Sequence, residues 1–186
     1  FPANGDGDEL VIWKDERRSA EWLRFRFPRQ SEQPYLCIAD FFRPVESGEG
    51  DWAAFHVVTM GPRVSEVTRE LFASGRYREY LLLHGLGVEM AEALAEYWHR
   101  RIREEWGFAH EDGPTLAGLF RQQYRGGRYS FGYPACPDLE DNAKVLELVG
   151  ADRIGVSCTE SFLLVPEQTT LALICHHPKA KYFVAK

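Results

Sequence analysis

The first candidate for chemistry is an arginine followed by turn-forming residues: Arg128-Tyr129-Ser130-Phe131-Gly132-Tyr133-Pro134-Ala135-Cys136-Pro137. Proline fixes φ and removes an N–H, and glycine opens positive φ. The composition therefore predicts a rigid, irregular loop whose main-chain groups face something other than a ladder. At its start Arg128 supplies a planar, permanently charged fork suited to a carboxylate or a phosphate. This is the make-up of a recognition element.

Other residues are weaker candidates. Cys136 lies just before a helix N-terminus expected at Asp138, a position that can lower a thiol pKa, but the sequence places no base beside it. A buried packing thiol is the better reading. Cys175, His176 and His177 match no metal-ligand spacing together with Cys136, and neighbours on a strand point to opposite faces. Gly126-Gly127 lacks the lysine and hydroxyl of a phosphate loop and reads as backbone freedom ahead of Arg128. The helix face of Glu89, Glu92, Glu96, His99, Arg100 and Arg103 reads as solvated, with Glu96 and Arg100 spaced for an ion pair. Tyr182-Phe183 reads as strand, with one ring in the core or one walling a flat aromatic ligand.

The elements that must position these groups fall in three blocks. Strands are expected at 10–13, 21–27, 35–39 and 52–59, the second by alternation of apolar and polar residues. Helices follow at 65–73, with Ser65 as N-cap, at 77–105 and at 116–124. In the long helix Leu86, Met90, Leu94, Tyr97, Trp98 and Ile102 form an apolar stripe that predicts a core face, and Gly85 and Gly87 mark a bend or close packing. Gly107 ends that helix. After the loop a helix from Asp138 to Leu148 stops at Gly150, and strands return at 155–158, 161–165, 171–175 and 182–185. Strands, then helices, then strands predict an α+β fold with an antiparallel sheet, and the lack of regular β-α-β alternation argues against a doubly wound dinucleotide fold.

The bulk properties agree. A chain of 186 residues, 45% hydrophobic and 27% charged, suits a single soluble domain. The net charge of −6 speaks against a nucleic-acid binder, and no apolar run approaches the ~20 residues of a membrane span. Four scattered cysteines without a CxxC pair predict a reducing, cytoplasmic setting. The start at Phe1, without an initiator methionine, predicts a piece of a longer chain.

Taken together, these stretches resemble the C-terminal activation domain of cobalamin-dependent methionine synthase. Its hallmark is an arginine, three variable residues and Gly-Tyr-Pro-Ala-Cys-Pro, matched in full at 128–137. Phe1-Pro2-Ala3-Asn4, Ala39-Asp40-Phe41, Ala91-Glu92-Ala93, Thr159-Glu160-Ser161-Phe162 and His177-Pro178 match in order. The resemblance implies a C-shaped α+β domain over residues 1–186, with a central twisted antiparallel sheet and flanking helices. Such a domain binds S-adenosylmethionine as part of a methyltransferase, 5-methyltetrahydrofolate–homocysteine methyltransferase, in methionine biosynthesis. It reactivates cob(II)alamin, held by a separate cobalamin domain, with an electron from flavodoxin or a similar reductase. Zinc and folate belong to other domains of such enzymes.

By the same resemblance Arg128, Ser130, Gly132, Tyr182 and Phe183 line the ligand site. Tyr133 takes the position near the transferred methyl, and Glu92 lies where the cobalamin domain docks. An acid expected six residues before the arginine is Gln122 here. The family's Asp-Trp-Thr-Pro-Phe-Phe segment would precede Phe1, and a helical tail would follow Lys186. Two rival readings are a non-catalytic docking module for the cobalamin domain and its reductase, and a free-standing activator acting in trans.

Overall fold

The alternating stretch at 21–27 does form a strand, and its partners come from the residues just before it. A computed structural model describes residues 1–185. In chain order it forms β1 (Pro2–Asp6), β2 (Glu9–Trp13), β3 (Glu21–Arg26), β4 (Asp51–Trp52) and β5 (Ala54–Thr59). Next come α1 (Pro62–Ala73), α2 (Tyr77–Glu105), α3 (Leu116–Phe120), β6 (Gly127–Tyr129) and α4 (Asp141–Val149). The chain closes with β7 (Ser157–Cys158), β8 (Leu164–Val165) and β9 (Thr169–Cys175). Among the described residues no helix is long and apolar enough to cross a membrane.

The residues cluster in two compact units. The first comprises Phe1–Ala54, His99–Asp138 and Leu173–Lys186, the second Phe55–Trp98 and Leu139–Ala172. In the first, a four-stranded antiparallel sheet has the order β3-β2-β1-β4, in a register that sets Ala3 opposite Ile12 and Leu10 opposite Phe25. Its middle strands are covered on both faces, as the buried run Leu10-Val11-Ile12 requires. Asn4, fully buried, meets the cost of its position by donating to the carbonyls of Arg43 (3.0 Å) and Glu49 (2.8 Å) and accepting from the Trp13 indole (3.1 Å). Gly5 passes so close to the 39–42 turn that a Cβ would lie 2.5 Å from the Ala39 carbonyl oxygen.

In the second unit Gln168, 1% exposed, links three elements. Its side chain meets the Ser65 hydroxyl of α1 (2.7 Å) and His84 Nδ1 of α2 (3.1 Å). Its carbonyl accepts from Met60 (3.0 Å). Gly87 of α2 lies against it, with space for no side chain, whereas nothing lies near Gly85.

Several expectations are corrected. The apolar stripe of α2 is not a core face: Leu86, Met90, Tyr97 and Trp98 are 59%, 50%, 57% and 45% exposed. The buried positions are Gly87, Ala91 and Ala95, where small residues let the helix approach its neighbours closely, and His99 and Arg103, which the sequence put on a solvated face. Helix α1 begins at Pro62 behind Gly61, so Ser65 is not its cap. The 35–39 run becomes a 3-10 turn, Ile38–Phe41, since the Asp40 carboxylate accepts from the Cys37 N–H (3.2 Å) and offers the backbone a local partner. α3 stops at Phe120 as Gln122 turns left-handed, and α4 starts at Asp141, its first N–H groups, of Asn142 and Ala143, bonding back to the carbonyls of Leu139 and Glu140. Of the 161–165 strand only 164–165 forms. No strand forms at 182–185: side chains take the carbonyls of Lys181, just before the segment (from Tyr129), and of Val184 within it (from Gln30, 2.8 Å).

Candidate functional site

Arg128 stands on a short strand rather than in the loop expected for it. β6 pairs antiparallel with the end of β9, placing Arg128 opposite Ile174 and Tyr129 opposite Leu173. Period-two alternation sends Tyr129 and Arg128 to opposite faces. Gly126, at φ 90°, turns the chain into this strand, and a Cβ there would run into the Cys175 carbonyl oxygen.

The loop proper begins after the strand. Phe131 anchors it, stacking on Phe25 (5.7 Å) and Phe27 (6.5 Å). Gly132 takes φ 90°, and its N–H donates to the Cys136 carbonyl (2.9 Å) while the Cys136 N–H returns to Tyr133 (2.9 Å). The Cys136 thiol donates to the Ser130 carbonyl (2.9 Å). This tight turn sets Tyr133 outward, 59% exposed, and seals Ala135 and Cys136 beneath it. A buried, hydrogen-bonded thiol is a packing group, as its loop position suggested. Cys37 and Cys175 are buried too, and burial pushes the Cys175 thiol up to about 12, whereas Cys158 is half-buried.

The chain before β6 is fixed by charge. Arg103, fully buried, forms a bidentate pair with Asp112 (2.9 Å for both bonds) and lies 4.2 Å from the Tyr124 ring centre. Arg125 donates to the His176 carbonyl (2.9 Å) and pairs with Glu111 (3.1 Å). His176 Nε2 meets Asp51 at 2.6 Å. Burial opposes ionisation of Asp51, but hydrogen bonds from His176 and from the Arg43 and Trp52 N–H groups outweigh it and hold its pKa below the usual range. His177 is pushed down by burial and by neighbouring His176 and Lys179. Among the described residues no cluster of three or more His, Cys, Asp or Glu is placed to hold a metal.

The structure brings most of the expected residues together. Arg128, Ser130, Gly132 and Tyr133 follow one another through strand and turn. Residues 182–183 join them because the Tyr129 hydroxyl donates to the Lys181 carbonyl (2.9 Å) and the Tyr129 and Phe183 rings meet at 6.2 Å. Phe183 is 7% exposed and packs edge-on against Phe41, whereas Tyr182 is 48% exposed. Glu92, exposed on α2, belongs to the second unit. Nothing in the sequence assigned Tyr129 or Lys181 a role in joining these segments. The one available signal was an aromatic beside the arginine in a strand-compatible stretch. The expected Glu96–Arg100 pair is replaced for Arg100 by Glu104 (3.2 Å).

The family model described as vitamin B12 dependent methionine synthase, activation domain, matches residues 1–186. The methionine synthases of Mycobacterium tuberculosis and Mycobacterium leprae are 49% and 47% identical in alignments of 194 residues. Each alignment takes in 98% of this chain but only 16% of the relative. A crystal structure of the MetH reactivation domain bound to AdoHcy matches with a TM-score of 0.92 and 32% identity, over 100% of this chain and 59% of that one. The mixed fold of antiparallel sheets and helices is thus shared with that domain.

Proposed function

The chain belongs to the family of vitamin B12 dependent methionine synthase activation domains, and on that premise we propose that it binds S-adenosylmethionine for the reactivation of cobalamin within a methionine synthase. The observation that carries this reading is the joining of the arginine strand, the fixed turn and the 182–183 segment, in a fold matched along its whole length by a relative bound to AdoHcy.

The residues fit such a ligand. An amino-acid carboxylate calls for a bidentate cation, which Arg128 offers from a half-buried strand position. The turn presents main-chain groups around Ser130 and Gly132, whose geometry is set before any ligand arrives. Exposed Tyr182 offers an aromatic face to an adenine. When bound, S-adenosylmethionine supplies an activated methyl group for the reduced cobalamin of a separate domain. This chain's part is orientation: Arg128 and the 182–183 segment fix the donor, and Tyr133 projects at the exposed face where that domain would dock. We place Glu92 at the same docking event, flavodoxin or a similar reductase as the electron source, and the protein in the cytoplasm.

Calorimetric titration with S-adenosylmethionine and its demethylated product tests the reading. Arg128→Ala is expected to weaken binding by ~1.5–3 kcal/mol, the scale of a hydrogen bond to a charged group. Absence of saturable binding by the unmodified protein would favour a docking module without a ligand of its own.

A further inference from the structure

The segment after β9 carries Tyr182, yet residues 176–185 form no helix or strand that would hold it in place. Its position must come from side chains. The Tyr129 hydroxyl donates to the Lys181 carbonyl at 2.9 Å, and the Lys181 ammonium donates back to the carbonyls of Gln122 (3.0 Å) and Tyr124 (3.4 Å). The Tyr129 ring, 2% exposed, is clamped in a cluster of three: Phe41 stacks on it at 6.1 Å and 15°, Phe183 meets it at 63°, and Phe41 and Phe183 meet each other at 69°. Burial raises the phenol pKa far above its ordinary value, so the hydroxyl stays a donor at any physiological pH.

We infer that Tyr129 is a positioning residue, its buried hydroxyl setting the 181–183 segment against the strand of Arg128 and thereby the affinity of the ligand site. Strand alternation puts its side chain on the face opposite Arg128, so it acts through Lys181 and not by touching the ligand. One donor at this point has leverage because a single strand carries both ends of the arrangement: Arg128 directly, and Tyr182 by way of its neighbour's hydroxyl. The inference rests on the ligand reading above for its functional half and on geometry alone for its structural half.

Tyr129→Phe keeps the ring, its volume and its two aromatic neighbours, and removes only the donor. Phe41→Leu is the counterpart that loosens the ring cluster and leaves the hydroxyl in place. In the full chain without ligand, amide exchange of the 180–185 region is expected to speed up about tenfold or more in Tyr129→Phe, with the exchange of β1 and β2 unchanged. Binding of S-adenosylhomocysteine is expected to weaken about three- to tenfold in Tyr129→Phe and to stay within twofold in Phe41→Leu, even where the latter has the lower Tm. Unchanged exchange at 180–185 overturns the inference, as does wild-type affinity in Tyr129→Phe. Equal loss of affinity in both variants also overturns it, since packing alone would then explain the result. Failure of the unmodified protein to bind would refute the ligand reading and the functional half with it, while the exchange arm would still decide the structural half.

Discussion

Two glycines two positions apart on α2 should respond to the same substitution with opposite signs. Replacing glycine by alanine inside a helix gains up to ~1 kcal/mol from the backbone alone. At Gly85 nothing lies within 4 Å of the added Cβ, so Gly85→Ala should realise ~0.5–1 kcal/mol and raise Tm by about 1–4 °C, the scale for a chain of this size. At Gly87 the Cβ would lie 2.9 Å from Gln168 Cγ and 3.1 Å from Val64 Cγ1, inside the ~3.5–4.0 Å of a relaxed carbon contact. Gln168 has little room to yield, being buried and held by Ser65 at 2.7 Å and His84 at 3.1 Å. Overpacking costs ~1–3 kcal/mol, and a lost buried hydrogen bond ~1–3 kcal/mol more. Set against the ~1 kcal/mol helical gain, Gly87→Ala should lose ~1–5 kcal/mol. Urea unfolding of both variants, followed by circular dichroism, measures the difference. Equal stabilisation by the two substitutions would refute the argument, because the Gln168 cluster would then have yielded without cost.

Asp112→Ala leaves the fully buried Arg103 without its bidentate partner and should cost ~3–5 kcal/mol in the same assay, whereas a loss below ~1 kcal/mol would show the charge finding water. The pH dependence has a definite sign. His177 is depressed in the folded chain, so its contribution is complete above the unfolded value of ~6.5 and is lost as pH falls through the lower folded value. Wild type should therefore lose stability relative to His177→Gln as pH falls below ~6.5, and a flat difference would count against the burial of that ring. Asp51 adds a loss of the same sign only below its unfolded value of ~3.9, since its folded pKa is lower still.

The residues of the candidate site were legible as a group because their types are unusual where they stand. Arg128, Gly132 and Tyr133 announce a fixed turn through local backbone chemistry, which a sequence displays directly. β2 and β3 were equally visible from short-range pattern. What stayed hidden depends on partners distant in the chain. The stripe of Leu86, Met90 and Tyr97 carries the hydropathy of a core face, but tight approach favoured Gly87, Ala91 and Ala95, and periodicity cannot rank closeness against hydrophobicity. The 182–185 segment has strand composition, yet the carbonyls of Lys181 just before it and of Val184 within it go to Tyr129 and Gln30, donors 52 and 154 residues from their acceptors. Gly126-Gly127 gave no hint that a strand began there, since β6 exists only through its pairing with β9.

The distribution of the four cysteines gives the protein a built-in clock. Cys37, Cys136 and Cys175 are sealed within the first unit, while half-buried Cys158 lies in the second. An alkylating pulse on the folded chain should mark Cys158 first, and each further mark should record an opening of the first unit, because thiols react only when exposed. Mass spectrometry of such pulses would time the breathing of the region that holds Arg128 and its turn, with no engineered probe and no substitution.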